Sequence, residues 1–291
     1  MWVADKLVYQ NESDFIRAYK GSEVIWELPS ESYYIKWTPS SAEGQFNIDG
    51  TTYDLSAFSG IYYWSTGIIN SRAFEYNHSI QSIETNATRI GDWAFHTCSL
   101  TQVSLPMCGY IGSCAFSDCS SLKQVSLPMC SYIGSNAFQD CYSLSQVSLP
   151  VCESIGEFAF RDCRSLKQVS LPVCSYIGME VFYSCRSLSQ VSLPVCSYIG
   201  NTAFCFCRSL SQVSLPICNY IGRMAFMSCS SLSTITIGYS GVCSLDGISV
   251  FDDTKITSST GSIYVPASLV DAYKSATNWS QYSNRIFAIP S

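Results

Sequence analysis

The sequence predicts an α/β solenoid, a stack of 22-residue repeats that each contribute one parallel strand and one short helical turn. Three observations point there. Leu100, Leu122, Leu144, Leu166, Leu188, Leu210 and Leu232 stand 22 apart, and a fixed period in the low twenties marks units that bury their apolar faces only against neighbours. From Gln124 to Leu127, polar and apolar residues alternate, the period of a half-buried strand. After a short return, Ala137, Phe138 and Cys141 follow Ile133 at offsets of four, five and eight, which places them on one face of a helical turn.

Each element has a local cause. Pro128 has no N–H for a ladder and ends the strand. Gly112, Gly134, Gly156, Gly178, Gly200 and Gly222 hold one slot, which calls for positive φ or a close backbone approach. Asn136, Ser113 or Thr202 can cap the turn that follows. Residues 1–66 are rich in Tyr, Trp, Ile and Val with turn signals at Lys20-Gly21 and Asp49-Gly50, so they read as hairpins that cover the first strand edge. The array proper spans 67–237, with its first repeats degenerate. Residues 238–291 read as a closing cap, with a strand Ser262 to Pro266 and a helix Ala267 to Ala276 that has Ser268 near its cap.

Sixteen cysteines would ordinarily suggest a disulfide framework, but thirteen sit at two points of the repeat. Cys130 and its equivalents follow Pro-x; Cys141 and its equivalents follow Ala-Phe-x-x, with Val181 in the Ala slot before Cys185. Reduced cysteine packs as a small hydrophobe, so these are expected to form two ladders of core thiols. Cys114, Cys205 and Cys243 fall outside the ladders and are the candidates for exposed, reactive thiols.

Only 13% of the residues are charged, so Ser, Gln, Asn and Thr must carry the surface polarity. The net charge of −6 argues against a nucleic-acid partner, which needs clustered cations. No stretch approaches the roughly 18–20 apolar residues of a membrane span. The start, Met1 to Lys6, lacks the basic and apolar regions of a signal peptide.

The string Leu-x-x-Val-x-Leu-Pro…Ile-Gly-x-x-Ala-Phe-x-x-Cys, whose second half recurs nearly intact in seven copies, resembles the BspA-type leucine-rich repeat of bacterial surface proteins. That family typically uses 23 residues; these copies have 22. The resemblance implies a leucine-rich-repeat solenoid, non-enzymatic and without a cofactor, which binds a protein or glycan partner at the cell surface or after secretion. Alternatives stay open on both counts: a structural spacer or particle component, and an intracellular or virion-associated location. The oligomeric state is also open.

No catalytic residue and no metal site is predicted. The two histidines are His78 and His96, and His96 is expected to face solvent. Two surfaces are candidates for binding. One is a periodic strand face carrying Gln124, Gln146, Gln168, Gln190 and Gln212 beside alternating serines, whose amides are expected to bond mainly to one another. The other gathers the variable residues near the turns: Phe158, Met179, Tyr183, Phe206, Arg208, Met224 and Met227. An exposed group of aromatic, Met and Arg side chains is the composition of a partner surface.

Overall fold

A computed structural model describes residues 67–291 except Ser79, Ser259 and Ser291, together with the backbone of seven strands within 1–66. The array is a parallel-strand solenoid in which each rung has three sides. Gln124–Ser126 forms the first side and pairs in register with its equivalents, Gln102↔Gln124↔Gln146. The second side is a two-residue strand, Tyr132–Ile133, paired as Tyr110↔Tyr132↔Ser154. The predicted single strand per repeat is therefore two.

The third side corrects the expected helical turn. Among the described residues, helices are confined to Ala267–Leu269, Val270–Ser275 and Ser280–Arg285 in the closing cap. Between Gly134 and Cys141 the backbone makes successive three-residue turns, with the Ala137, Gln139 and Cys141 N–H groups reaching back to Gly134, Asn136 and Phe138. The intervening N–H groups of Asn136, Phe138 and Asp140 point forward and donate to Glu157, Ala159 and Arg161 of the next rung, at 2.8–3.0 Å. This alternation needs a left-handed residue at two places per rung. Asn136 (φ 58°) and Asp140 (φ 58°) occupy them here; Thr202 (φ 53°) and Phe206 (φ 63°) do so elsewhere. Asn136 and Thr202 are thus turn residues and not caps. At Ser113 the N–H is instead bound by the Asp92 carboxylate at 2.8 Å.

The corner glycines do not use positive φ. A Cβ on Gly134 would stand 2.6 Å from the Gly112 carbonyl carbon and the Ser113 nitrogen, so stacked rungs touch backbone to backbone there. Inside, Leu122, Val125, Leu127, Cys130, Ile133, Ala137, Phe138 and Cys141 of one rung are all buried. The phenylalanines stack nearly parallel from Phe74 to Phe251, with ring centroids 4.8–5.9 Å apart, within the range where offset stacking is favourable.

Strand pairing is not continuous. It stops on the first side between Gln146–Ser148 and Gln168–Ser170, and on the second between Ser154–Ile155 and Tyr176–Ile177. A second break on the first side separates Gln190–Ser192 from Gln212–Leu215. At the shared seam Ser154 interrupts the tyrosine stack of Tyr110–Tyr132 and Tyr176–Tyr198–Tyr220. The turn side stays bonded across it, Phe158, Phe160 and Asp162 N–H donating to Met179, Val181 and Tyr183. Arg161 reinforces that side, with Nη1 2.7 Å from the Glu180 carboxylate and its guanidinium over the Tyr183 ring.

Both ends are covered. Tyr33–Pro39 pairs antiparallel with Ile80–Thr85, the first strand of the first side. At the other end Ser262–Val265 and Ile286–Ala288 extend the sheet in parallel. Trp279 is buried there and donates to the Cys243 carbonyl at 2.6 Å. The Tyr273 hydroxyl accepts from the Cys243 N–H and donates to the Gly241 carbonyl. Ser268 makes no capping bond; Pro266 precedes the first helical residue.

Candidate functional site

The first side of the array is the floor of a groove of about 1120 Å³ that runs from Gln102 to Thr236. Pairing in register puts one Gln and one Ser outward in each of the six rungs from Gln102 to Ser214 and turns the Val between them toward the core; the flanking rungs present Ser82 with Glu84 and Thr234 with Thr236 instead. All five predicted glutamines, Gln124, Gln146, Gln168, Gln190 and Gln212, line it. Their amides do not form the expected self-bonded ladder. Among the described residues one Gln–Gln bond is made, from Gln124 Nε2 to Gln146 Oε1, and at 3.4 Å it is long. Among the described residues no charged side chain lines the groove. Its floor therefore offers amide and hydroxyl donors and acceptors in rows.

Beside this floor lies a feature that the sequence reading passed over. The residue between Pro and Cys is an exposed aliphatic in six consecutive rungs: Met107 (55%), Met129 (57%), Val151, Val173, Val195 and Ile217. Pro150 and Pro172 line the groove wall next to it. The chain turns at the proline, so the following side chain points outward while the cysteine after it points in. The signal was available, because every copy has a large apolar residue at that slot.

The predicted turn-side patch is placed differently from expectation. Phe158, Met179, Tyr183, Phe206, Met224 and Met227 are half-buried, and only Arg208 is exposed. Tyr183 meets Phe206 edge-on at 5.5 Å, and Arg161 lies over Tyr183 (4.9 Å) and Phe158 (5.8 Å). These side chains spend much of their surface on neighbouring rungs. Phe158, Phe206 and Met224 also hold left-handed backbone, which is costly for bulky residues.

All sixteen cysteines are free and buried, including Cys114, Cys205 and Cys243, so none is an exposed thiol. Burial pushes Cys98, Cys108 and Cys196 up to about 12 and also holds Cys119 and Cys163 well above the ordinary thiol value. A thiol with so little thiolate is a poor nucleophile. His96 does not face solvent: its side chain is 12% exposed, set between the Trp93 and Tyr76 rings, with Nδ1 3.8 Å from the Asp118 carboxylate. No helix among the described residues is long and apolar enough to cross a membrane.

The repeat described by these residues matches the BspA type leucine-rich repeat region in six copies, over residues 64–152 and 131–257. The chain belongs to the BspA-type leucine-rich repeat family. Among solved structures, the BspA-type array is similar to a leucine-rich repeat protein from Bacteroides ovatus at 20% identity, over 77% of this chain and 75% of that one, with a TM-score of 0.35. It is similar also to a leucine-rich cell surface protein from Faecalibacterium prausnitzii (25% identity, 62% of this chain, 45% of that one, TM-score 0.42). A third is the Treponema pallidum leucine-rich repeat protein (28% identity, 45% of this chain, 72% of that one, TM-score 0.35). No curated protein sequence matches the chain.

Proposed function

We propose that this BspA-type array is a non-enzymatic recognition module of the protein-interaction or adhesion kind, working at a cell surface, with its partner seated in the strand-side groove and on the apolar rim. The observation that carries this reading is the rim: six consecutive rungs expose an aliphatic side chain from the same slot. Contiguous exposed apolar surface bordered by polar groups is a mark of interaction sites. Family membership agrees with it, since BspA-type repeats are those of bacterial surface proteins. The groove supplies hydrogen-bonding specificity and the rim supplies apolar contact, the two components of a recognition surface.

The test is binding of the immobilised chain to bacterial and host-cell surface extracts. Three proteins are compared: wild type, a rim variant (Met129→Lys with Val173→Lys), and a turn-side variant (Tyr183→Ser with Phe206→Ser). Melting curves control for stability, because Tyr183 and Phe206 pack on each other. The rim variant is expected to lose the partner and the turn-side variant to keep it. The reverse result moves the site to the turn side. Capture of nothing by wild type favours the spacer reading, in which the near-identical rungs supply length alone.

A further inference from the structure

We infer that the groove takes a neutral, unbranched polysaccharide laid along the solenoid axis, with about one hexose against each rung; this rests on the groove being the binding site. The argument begins with spacing. Rungs paired in register, as Gln102↔Gln124↔Gln146 and Gln168↔Gln190 are, repeat every ~4.8 Å along the axis. A ligand that meets every rung in the same way must repeat at nearly that distance. An extended peptide presents like-facing side chains only every ~6.6–6.8 Å and falls out of step within a few rungs. An extended β-1,4-linked hexose chain advances by close to one rung per sugar with alternate rings turned over, so a hydroxyl-bearing ring edge, though not the same edge, meets each successive rung.

Charge and chemistry select the same class. Among the described residues none that lines the groove is charged, so the groove supplies no cation for a nucleic acid, an acidic glycan or an acidic peptide, and the carboxylate in register at its end, Glu84 beside Ser104, would repel them. A neutral sugar loses no ionic hydration on entry. Its hydroxyls both donate and accept, as the floor does, because each Gln amide offers N–H and C=O and each Ser a hydroxyl. Those amides are largely unspent, since the Gln124–Gln146 bond is the one such pair among the described residues. Sugar rings also have apolar C–H faces, and the wall beside the floor is apolar: Pro150 and Pro172 line it, with Val151 and Val173 exposed beyond.

Among the described residues no aromatic ring lines the groove, so none of them is a single stacking platform to anchor one sugar. Recognition is then shared among rungs, and the ligand's length becomes the decisive variable. Outward Gln or Thr side chains line the groove at Gln102, Gln124, Gln146, Gln168, Gln190, Gln212 and Thr234. Affinity should therefore climb with each added sugar and level off near the number of rungs.

The experiment is calorimetric titration of the full chain with cello- and manno-oligosaccharides from disaccharide to octasaccharide, with oligogalacturonates of equal length as the charged control. The expected result is affinity that rises with length up to about the heptasaccharide, with at least tenfold weaker binding by the oligogalacturonates. The double variant Gln146→Glu with Gln168→Glu, on exposed positions that leave the core alone, should weaken the neutral series at least tenfold at unchanged melting temperature. Absence of binding by every neutral oligomer overturns the proposal, as does length-independent binding or indifference to the Gln→Glu changes. If no sugar binds while the rim variant still loses a protein partner, recognition stands and the glycan assignment falls. Capture of a Gln-rich cross-β fibre, which shares the rung spacing, in place of any sugar would also overturn it.

Discussion

The thiol of Cys141 donates to the carbonyl of Phe116 in the preceding rung, at 3.2 Å. The same bond recurs from Cys98 to Phe74 through Cys229 to Phe204. The other ladder bonds locally: Cys130 donates to the Tyr132 carbonyl at 3.1 Å. Cysteine serves here because it is small and apolar and still has a weak donor for a buried carbonyl.

Native protein should therefore react very slowly with a thiol reagent near neutral pH, and denatured protein should titrate close to sixteen thiols. Rapid labelling of Cys114, Cys205 or Cys243 in the native state would contradict their burial.

The same burial makes the fold sensitive to alkali. Folded-state thiols such as Cys98 and Cys108 lie at about 12, whereas an unfolded thiol titrates near ~8.5. The raised group keeps its proton in the native state, so its contribution is fully present below the unfolded value and is lost as pH rises toward 12. Denaturant midpoints should hold steady up to about pH 8 and fall progressively above it, as the unfolded thiols ionise. A midpoint flat to pH 10.5 would exclude this linkage.

Two equivalent glycines should respond differently to the same substitution. Gly134→Ala forces a Cβ to 2.6 Å from neighbouring backbone and should cost about 1–3 kcal/mol or more by overpacking. At Gly178 the nearest atom, Tyr176 Cε1, is 3.5 Å away and φ is not positive. Gly178→Ala should be neutral, or stabilise by up to about 1 kcal/mol through the unfolded chain. Thermal melts of both variants decide it.

Left-handed slots offer a second stability test. Thr202 is β-branched at φ 53°, where Asn136 stands in an earlier rung. Thr202→Asn should stabilise by about 1 kcal/mol and Asn136→Thr should destabilise by a similar amount. Equal melting temperatures would mean that the slot does not discriminate.

Hydrogen exchange should locate the seam. Gly156 and Gly200 donate to Ile133 and Ile177 at 2.7 Å, and the corresponding bond from Gly178 is not formed. Its amide should exchange faster than either. Arg161→Gln should cost about 1–2 kcal/mol by removing the Glu180 pair and the contact with Tyr183, and should speed exchange around the seam more than at the array ends.

The period and the inward residues were legible because burial recurs at identical slots. The helical turn was misread for a definable reason. Offsets of four, five and eight fit a 3.6-residue helix, and they fit equally a run of tight turns whose alternate N–H groups leave for the next rung. Asn136 and Asp140 would have shown the left-handed slots, yet Phe158, Phe206 and Met224 occupy them too and hide the pattern. Tyr132–Ile133 is too short a strand to show alternation. The rim was missed because Met129 and Val173 sit between a strand-ending Pro and a buried Cys, where an apolar residue reads as core. Half-burial of Tyr183 and Phe206 depends on neighbouring rungs, which composition does not reveal.

Where strand pairing lapses on two sides at once, between Ser154–Ile155 and Tyr176–Ile177 and between Gln146–Ser148 and Gln168–Ser170, the array has a preferred place to give under load. Pulled from its ends, it should open there like a book, with the turn-side bonds from Phe158, Phe160 and Asp162 as the spine and the two halves staying whole. A chain tethered at one end and gripped along its groove would then stretch elastically before it unravelled.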